Sequence, residues 1–270
     1  NRLGTVVADG RGDRRDTNVR GQSLVLLRSV IPGRKTRNKS LLWTVAPHIA
    51  EAGILVLVYF AYMYTRKFAF TDSANVAFEN AQRVVEFEQS KGLHWEPTWQ
   101  RLALDATHGI VLFFNWVYIF SFLPILAVSG LILYIRNRER YYFYRNVVLA
   151  SFAVALFLFM LFPLAPPRML ADKFVDTIAV FGPAFYASRE AAQYYNAFAA
   201  MPSLHFAWTL IFGIMFIQAG PRWLKVVGVL YPTMTLLAIT ITGNHYIVDA
   251  IGGGVVMIGA FAIPLLLRHL

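Results

Sequence analysis

The chain has 270 residues, 57% of them hydrophobic and 15% charged, with a mean hydropathy of +0.50. Repeated apolar runs of about 20 residues, the length that crosses a hydrocarbon layer of about 30 Å as a helix, exclude a soluble globular domain. The formal charge of +10 does not signal nucleic acid, because Lys and Arg gather in a tail and in loops beside apolar runs, and the absence of cysteine excludes disulfides and thiolate metal sites.

Residues 1–39 carry ten Lys or Arg and three Asp with little apolar periodicity, so a disordered basic tail is expected there. Its end, "GRKTRNKS", abuts the first apolar run and suits a cytoplasmic topology signal or a grip on anionic headgroups. No cleavable leader is visible, and the first span is expected to serve as the targeting signal. From residue 40 to 270 the pattern predicts one all-α membrane domain. Its six transmembrane helices are expected at about 41–65, 103–135, 144–164, 202–218, 223–242 and 245–267. Pro124 and Pro232 are expected to bend two of them. Between the first two, about 73–91, Phe78, Ala81, Val84 and Val85 fall at helical spacing opposite Glu79, Arg83 and Glu86, which predicts an amphipathic interfacial helix. With six spans both termini share one side, and that side carries 17 Lys or Arg against eight, so the termini are expected in the cytoplasm.

Few ionisable groups lie within or at the ends of these spans: His48, Glu51, Asp105, His108, Arg168, His205, His245 and Asp249. Each is costly in hydrocarbon and calls for a reason. Interfacial solvation is reason enough for the first four. Parity brings the other four to the non-cytoplasmic face, and their joint placement there marks a site. In "TGNHYIVDAIGGG", Asn244 is expected to cap the sixth span, with His245 in its first turn and Asp249 one turn on along the same face. A carboxylate there can hold one imidazole N–H and leave the other nitrogen as an oriented base or nucleophile. In "MPSLH", Pro202 suits the first helical position, turning Ser203 and the backbone N–H groups of the fourth span towards the same space. Two histidines, an arginine and an anion-binding helix start make a phosphoryl-transfer set that requires neither metal nor cofactor.

"MPSLH", followed after about 40 residues by "GNHYIVD" and preceded by "APPR" at a span end, resembles the type 2 phosphatidic acid phosphatase superfamily. Within it the chain looks like the inositol phosphorylceramide synthase-like, inositolphosphotransferase branch, of which "EFEQSKGLHWEPTWQ" is also reminiscent. The resemblance covers about residues 103–265. It implies a six-helix membrane enzyme with an extracytoplasmic or luminal site, in which His245 is the nucleophile, Asp249 its orienter, His205 the general acid, and Arg168 and Ser203 phosphate contacts. Asn244 and Tyr246 flank the nucleophile as further candidates.

The chain departs from the superfamily pattern at several places. Leu161 stands where a lysine is usual, Met169 where proline follows the arginine, Leu204 where glycine precedes the histidine, and Ala238 and Ile239 where Ser-Arg is usual. Two cations are thereby missing, which suits a phosphodiester donor with one charge better than a monoester with nearly two. Lys173 or Arg189 can supply charge instead. The expected substrates are a lipid-linked phosphate and a polyol or lipid alcohol acceptor among membrane lipids. The rival readings are a lipid phosphatase using the same residues, a zinc site of His205, His245 and Asp249, an ion path through the membrane, and a structural anchor. The residues do not specify an oligomeric state.

Overall fold

The structure, a computed structural model, describes residues 41–71, 73–170, 173–183 and 197–267. The basic tail and Arg189 lie outside the described residues. Contacts divide the chain into one unit ending at Leu55 and a second beginning at Val56. In the first, the start of helix α1 (Leu41–Thr71) presents exposed Ile49 and Leu55, with His48 exposed among them. The elements that follow belong to the second unit.

Its described residues form helices and connections with no strand. In chain order come α2 (Ala74–Lys91), α3 (Glu96–Ala106), α4 (His108–Phe120), α5 (Leu123–Arg136), α6 (Arg138–Leu161), a 3-10 turn (Pro167–Met169), α7 (Thr177–Phe181), α8 (Leu204–Ala219), α9 (Arg222–Ile241) and α10 (Ile247–Leu267). The main core lies between α6, α8 and α10, where Val147, Phe159, Trp208, Ile211 and Ala260 are buried. The indole N–H of Trp208 donates to Ser151 Oγ at 3.0 Å, so the one polar atom of that ring is satisfied inside the core. Outward faces carry large exposed apolar side chains, such as Ile135, Phe157, Val229, Val255 and Ile258, as expected of a surface whose solvent is lipid.

Among the described residues three helices, α1 included, are long and apolar enough to cross a membrane, or up to four if the bent pair α4–α5 is one span; α8 and residues 247–263 are apolar but shorter. The expected second span therefore starts later than residue 103. α3 ends at Ala106, extended Thr107 caps α4 by accepting from the Ile110 N–H, and Asp105 and His108 sit exposed at that break. The bend expected near Pro124 falls between α4 and α5 and measures 43°. Pro124 occupies the first turn of α5, where its missing N–H costs nothing. Pro232 lies within unbroken α9.

α2 is amphipathic, but its buried face is Ala77, Ala81, Val84, Val85 and Glu88, with Phe78 more exposed than expected. That face packs on the 164–165 and 198–200 segments around Tyr246. Asn80 also donates to the Pro163 carbonyl at 2.9 Å. Gly92 then takes φ +68, a conformation costly for other residues, and reverses the chain into α3.

Candidate active site

Two connections build the site: the turn between α9 and α10, and the segment leading into α8. His245 precedes α10 and is nearly buried. Its Nδ1 lies 2.9 Å from the Ala200 carbonyl oxygen and 3.3 Å from Asp249 Oδ2. Both neighbours are acceptors, so Nδ1 carries a proton. Asp249 is fully buried, accepts from the Tyr246 backbone N–H at 2.9 Å, and turns an unpartnered Oδ1 into the same region. His205, in the first turn of α8, brings its ring to 5.7 Å from that of His245 and is held between the rings of Tyr118 and Phe122 at 4.6 and 4.3 Å.

Two expected helix starts fall differently. Pro202 precedes α8, which starts at Leu204 and is capped by Ser203: its Oγ accepts from the Phe206 N–H at 3.3 Å, leaving the hydroxyl proton for donation. α10 starts at Ile247, so Asn244 does not cap it. Asn244 instead donates to Thr242 Oγ1 at 2.8 Å and accepts from Arg168 Nη1 at 3.1 Å. The two connections are themselves tied, for the Ser203 N–H donates to the Asp249 carbonyl at 2.9 Å. A Cβ on Gly253 would lie 2.4 Å from the Ser203 carbonyl oxygen, so only glycine permits this approach of α10.

Arg168 sits on the 3-10 turn. Its backbone N–H donates to the Gly243 carbonyl at 2.7 Å, and its Nε lies 3.5 Å from Asp176 Oδ2. Gly243 has φ +67, and a Cβ there would press on Arg168 Cβ at 3.3 Å. Tyr246 is fully buried with its hydroxyl donating to the Ala165 carbonyl at 3.2 Å, which makes it a packing residue. Lys173 is exposed and acts electrostatically on His94. Leu161 is 64% exposed and Ile239 fully buried, so no charge stands at either place.

Several residues that sequence reasoning left without a role hold this turn in place. Gln100 donates to the Val175 and Ile241 carbonyls at 3.0 and 2.9 Å and accepts from the Val175 N–H at 2.9 Å. Asp176 caps α7 while pairing with Arg168. Glu96 Oε1 accepts from the Ile247 N–H, and Glu88 Oε1 accepts from the Val248 N–H at 2.9 Å, so the first turn of α10 is capped from α2 and α3. Burial, then the neighbouring Glu96, raises the Glu88 carboxyl to about 9. Burial also raises Glu96. Burial and Lys173 lower His94.

A helical membrane chain that gathers two histidines and an aspartate at two helix starts, with an arginine on an adjoining 3-10 turn, is of the kind that handles phosphoesters. A family model described as the PAP2 superfamily matches residues 82–263, and the chain belongs to that superfamily, whose phosphatases and phosphotransferases act on lipid-type substrates. No curated protein and no solved structure matches the chain.

Proposed function

We propose that this protein moves a phospho-headgroup from a lipid donor to an alcohol acceptor through a phosphohistidine on His245, at the extracytoplasmic face of a six-span bundle. The observation that carries this reading is the pair of acceptors on Nδ1 of His245, which leaves Nε2 as a nucleophile beside His205. Nε2 attacks phosphorus, the bond from phosphorus to the leaving oxygen breaks, and His205, as general acid, gives a proton to that oxygen. The acceptor hydroxyl then attacks the phosphohistidine, its proton passes to His205, and the P–N bond breaks. Arg168 and the Ser203 hydroxyl are assigned to the non-bridging oxygens. Arg168, without cations at Leu161 and Ile239, suits a diester better than a monoester. An apolar groove of about 500 Å³ supports a lipid donor, running from Met201 and Pro202 beside Ser203 to Val255 on α10, with Phe87 of α2 along it.

The test is incubation of purified wild-type and His245→Ala protein with labelled phospholipids, including phosphoinositides and polyprenyl phosphates, with and without acceptor alcohols. A new lipid phosphodiester should form with wild type and fall by about 10³-fold or more in the variant. Free phosphate alone, lost in the variant, would make the protein a lipid phosphatase that uses the same residues with water as acceptor. Undiminished turnover by His245→Ala would remove the phosphohistidine.

A further inference from the structure

The turn from α2 to α3 builds a second cluster, behind the start of α10. Glu88 closes α2, Gly92 reverses the chain, His94 follows, and Glu96 opens α3. Both carboxylates are fully buried, and each already gives one oxygen, Oε1, to a backbone N–H of α10. The remaining oxygens converge on His94. Its Nδ1 lies 3.4 Å from Oε2 of Glu88 and 3.4 Å from Oε2 of Glu96, and all three atoms fall within 4.8 Å of one another. Oε2 of Glu96 has no hydrogen-bond partner despite its complete burial.

The spacing decides what such a triangle holds. A good N–H···O bond measures about 2.7–3.2 Å, so 3.4 Å from Nδ1 to each carboxylate oxygen is wide for one. An ion bound tetrahedrally at about 2.0–2.2 Å instead sets its ligand atoms about 3.3–3.6 Å apart. We propose that Glu88, His94 and Glu96 form a divalent-cation site of the zinc type, pinning the α2–α3 turn against the start of α10. On binding a dication both carboxyls ionise, Glu88 giving up the proton that burial favours on it, and the hydrogen bonds to Ile247 and Val248 orient them as outer partners orient metal ligands. His94 is partly exposed and gives the ion access, and Lys173 nearby is exposed to solvent. The site takes no part in the phosphoryl chemistry and does not rest on that reading.

The test uses the full chain without a histidine tag, purified in detergent. Metal content is measured first, then the protein is stripped with chelator and titrated with Co²⁺ by visible absorption and with Zn²⁺ by thermal unfolding. One ion per chain is expected, with Zn²⁺ raising the unfolding temperature of the stripped wild type. His94→Ala should weaken Co²⁺ binding by about 10- to 100-fold and abolish the Zn²⁺-dependent rise. Glu96→Gln, which keeps an oxygen for the Ile247 N–H, should also weaken binding and serves if His94→Ala misfolds. His245→Ala should bind as wild type. The proposal is overturned if stripped wild type takes up no Co²⁺, if Glu96→Gln and His94→Ala bind undiminished, or if His245→Ala alone loses the ion, which would move it to the histidine pair.

Discussion

Nδ1 of His245 has one proton and two acceptors, the Ala200 carbonyl and Asp249. The carbonyl fixes where the ring points; the carboxylate adds charge, which matters when the imidazole becomes cationic on bonding to phosphorus. Asp249→Asn keeps an oxygen for the Tyr246 N–H but removes that charge. Its kcat should fall by about 10²- to 10⁴-fold with KM little changed, because the lost interaction strengthens only as the reaction proceeds. Steady-state kinetics check this, and an unchanged kcat would show that the carbonyl alone orients His245. The residues of this scale were legible in sequence because their chemistry is local: His245 and Asp249 are one helical turn apart, and Ser203 and His205 share a helix start. Glu88, Glu96 and Gln100 were not, because they bond to backbone groups 160, 151 and 141 residues away, and a backbone N–H or C=O leaves no mark in residue identity.

At the scale of elements, the starts of helices were the least legible feature. Apolar periodicity runs through His245 and Pro202, yet α10 begins at Ile247 and α8 at Leu204, because Asp249 and Ser203 accept the first N–H groups there. What holds the helices together was also hidden in residues without side chains. Gly213 of α8 and Gly228 of α9 face each other, and a Cβ on either would lie 2.5 or 2.6 Å from the other's carbonyl oxygen. This is close backbone packing through small residues, the usual cohesion between helices in lipid. Gly213→Val must push the helices apart and should destabilise by about 1–3 kcal/mol, lowering the unfolding temperature in detergent. Gly259→Ala on α10, where an added Cβ meets nothing within 4 Å, is the control and should leave it unchanged or higher. Equal unfolding temperatures for both variants would mean that α8 and α9 do not depend on this contact.

At the scale of the whole molecule, the open quantity is how many times the chain crosses the membrane. α8 has 16 residues and is therefore about 24 Å long, short of a hydrocarbon layer of about 30 Å. α4 and α5 together have more length than a span needs, and a bend of 43° shortens their reach. If α8 crosses by local thinning of the bilayer, Arg138 and Arg222 share the cytoplasmic side, and Arg83 and Lys173 lie opposite, where the charge asymmetry puts the smaller share of Lys and Arg. The chain has no cysteine, so single cysteines at these four exposed positions report without background. An impermeant maleimide applied to intact cells should label Arg83→Cys and Lys173→Cys, and should reach Arg138→Cys and Arg222→Cys only after permeabilisation. Labelling of Arg138→Cys and Arg222→Cys from outside, in place of Arg83→Cys and Lys173→Cys, would invert the topology and put His205 and His245 on the cytoplasmic face.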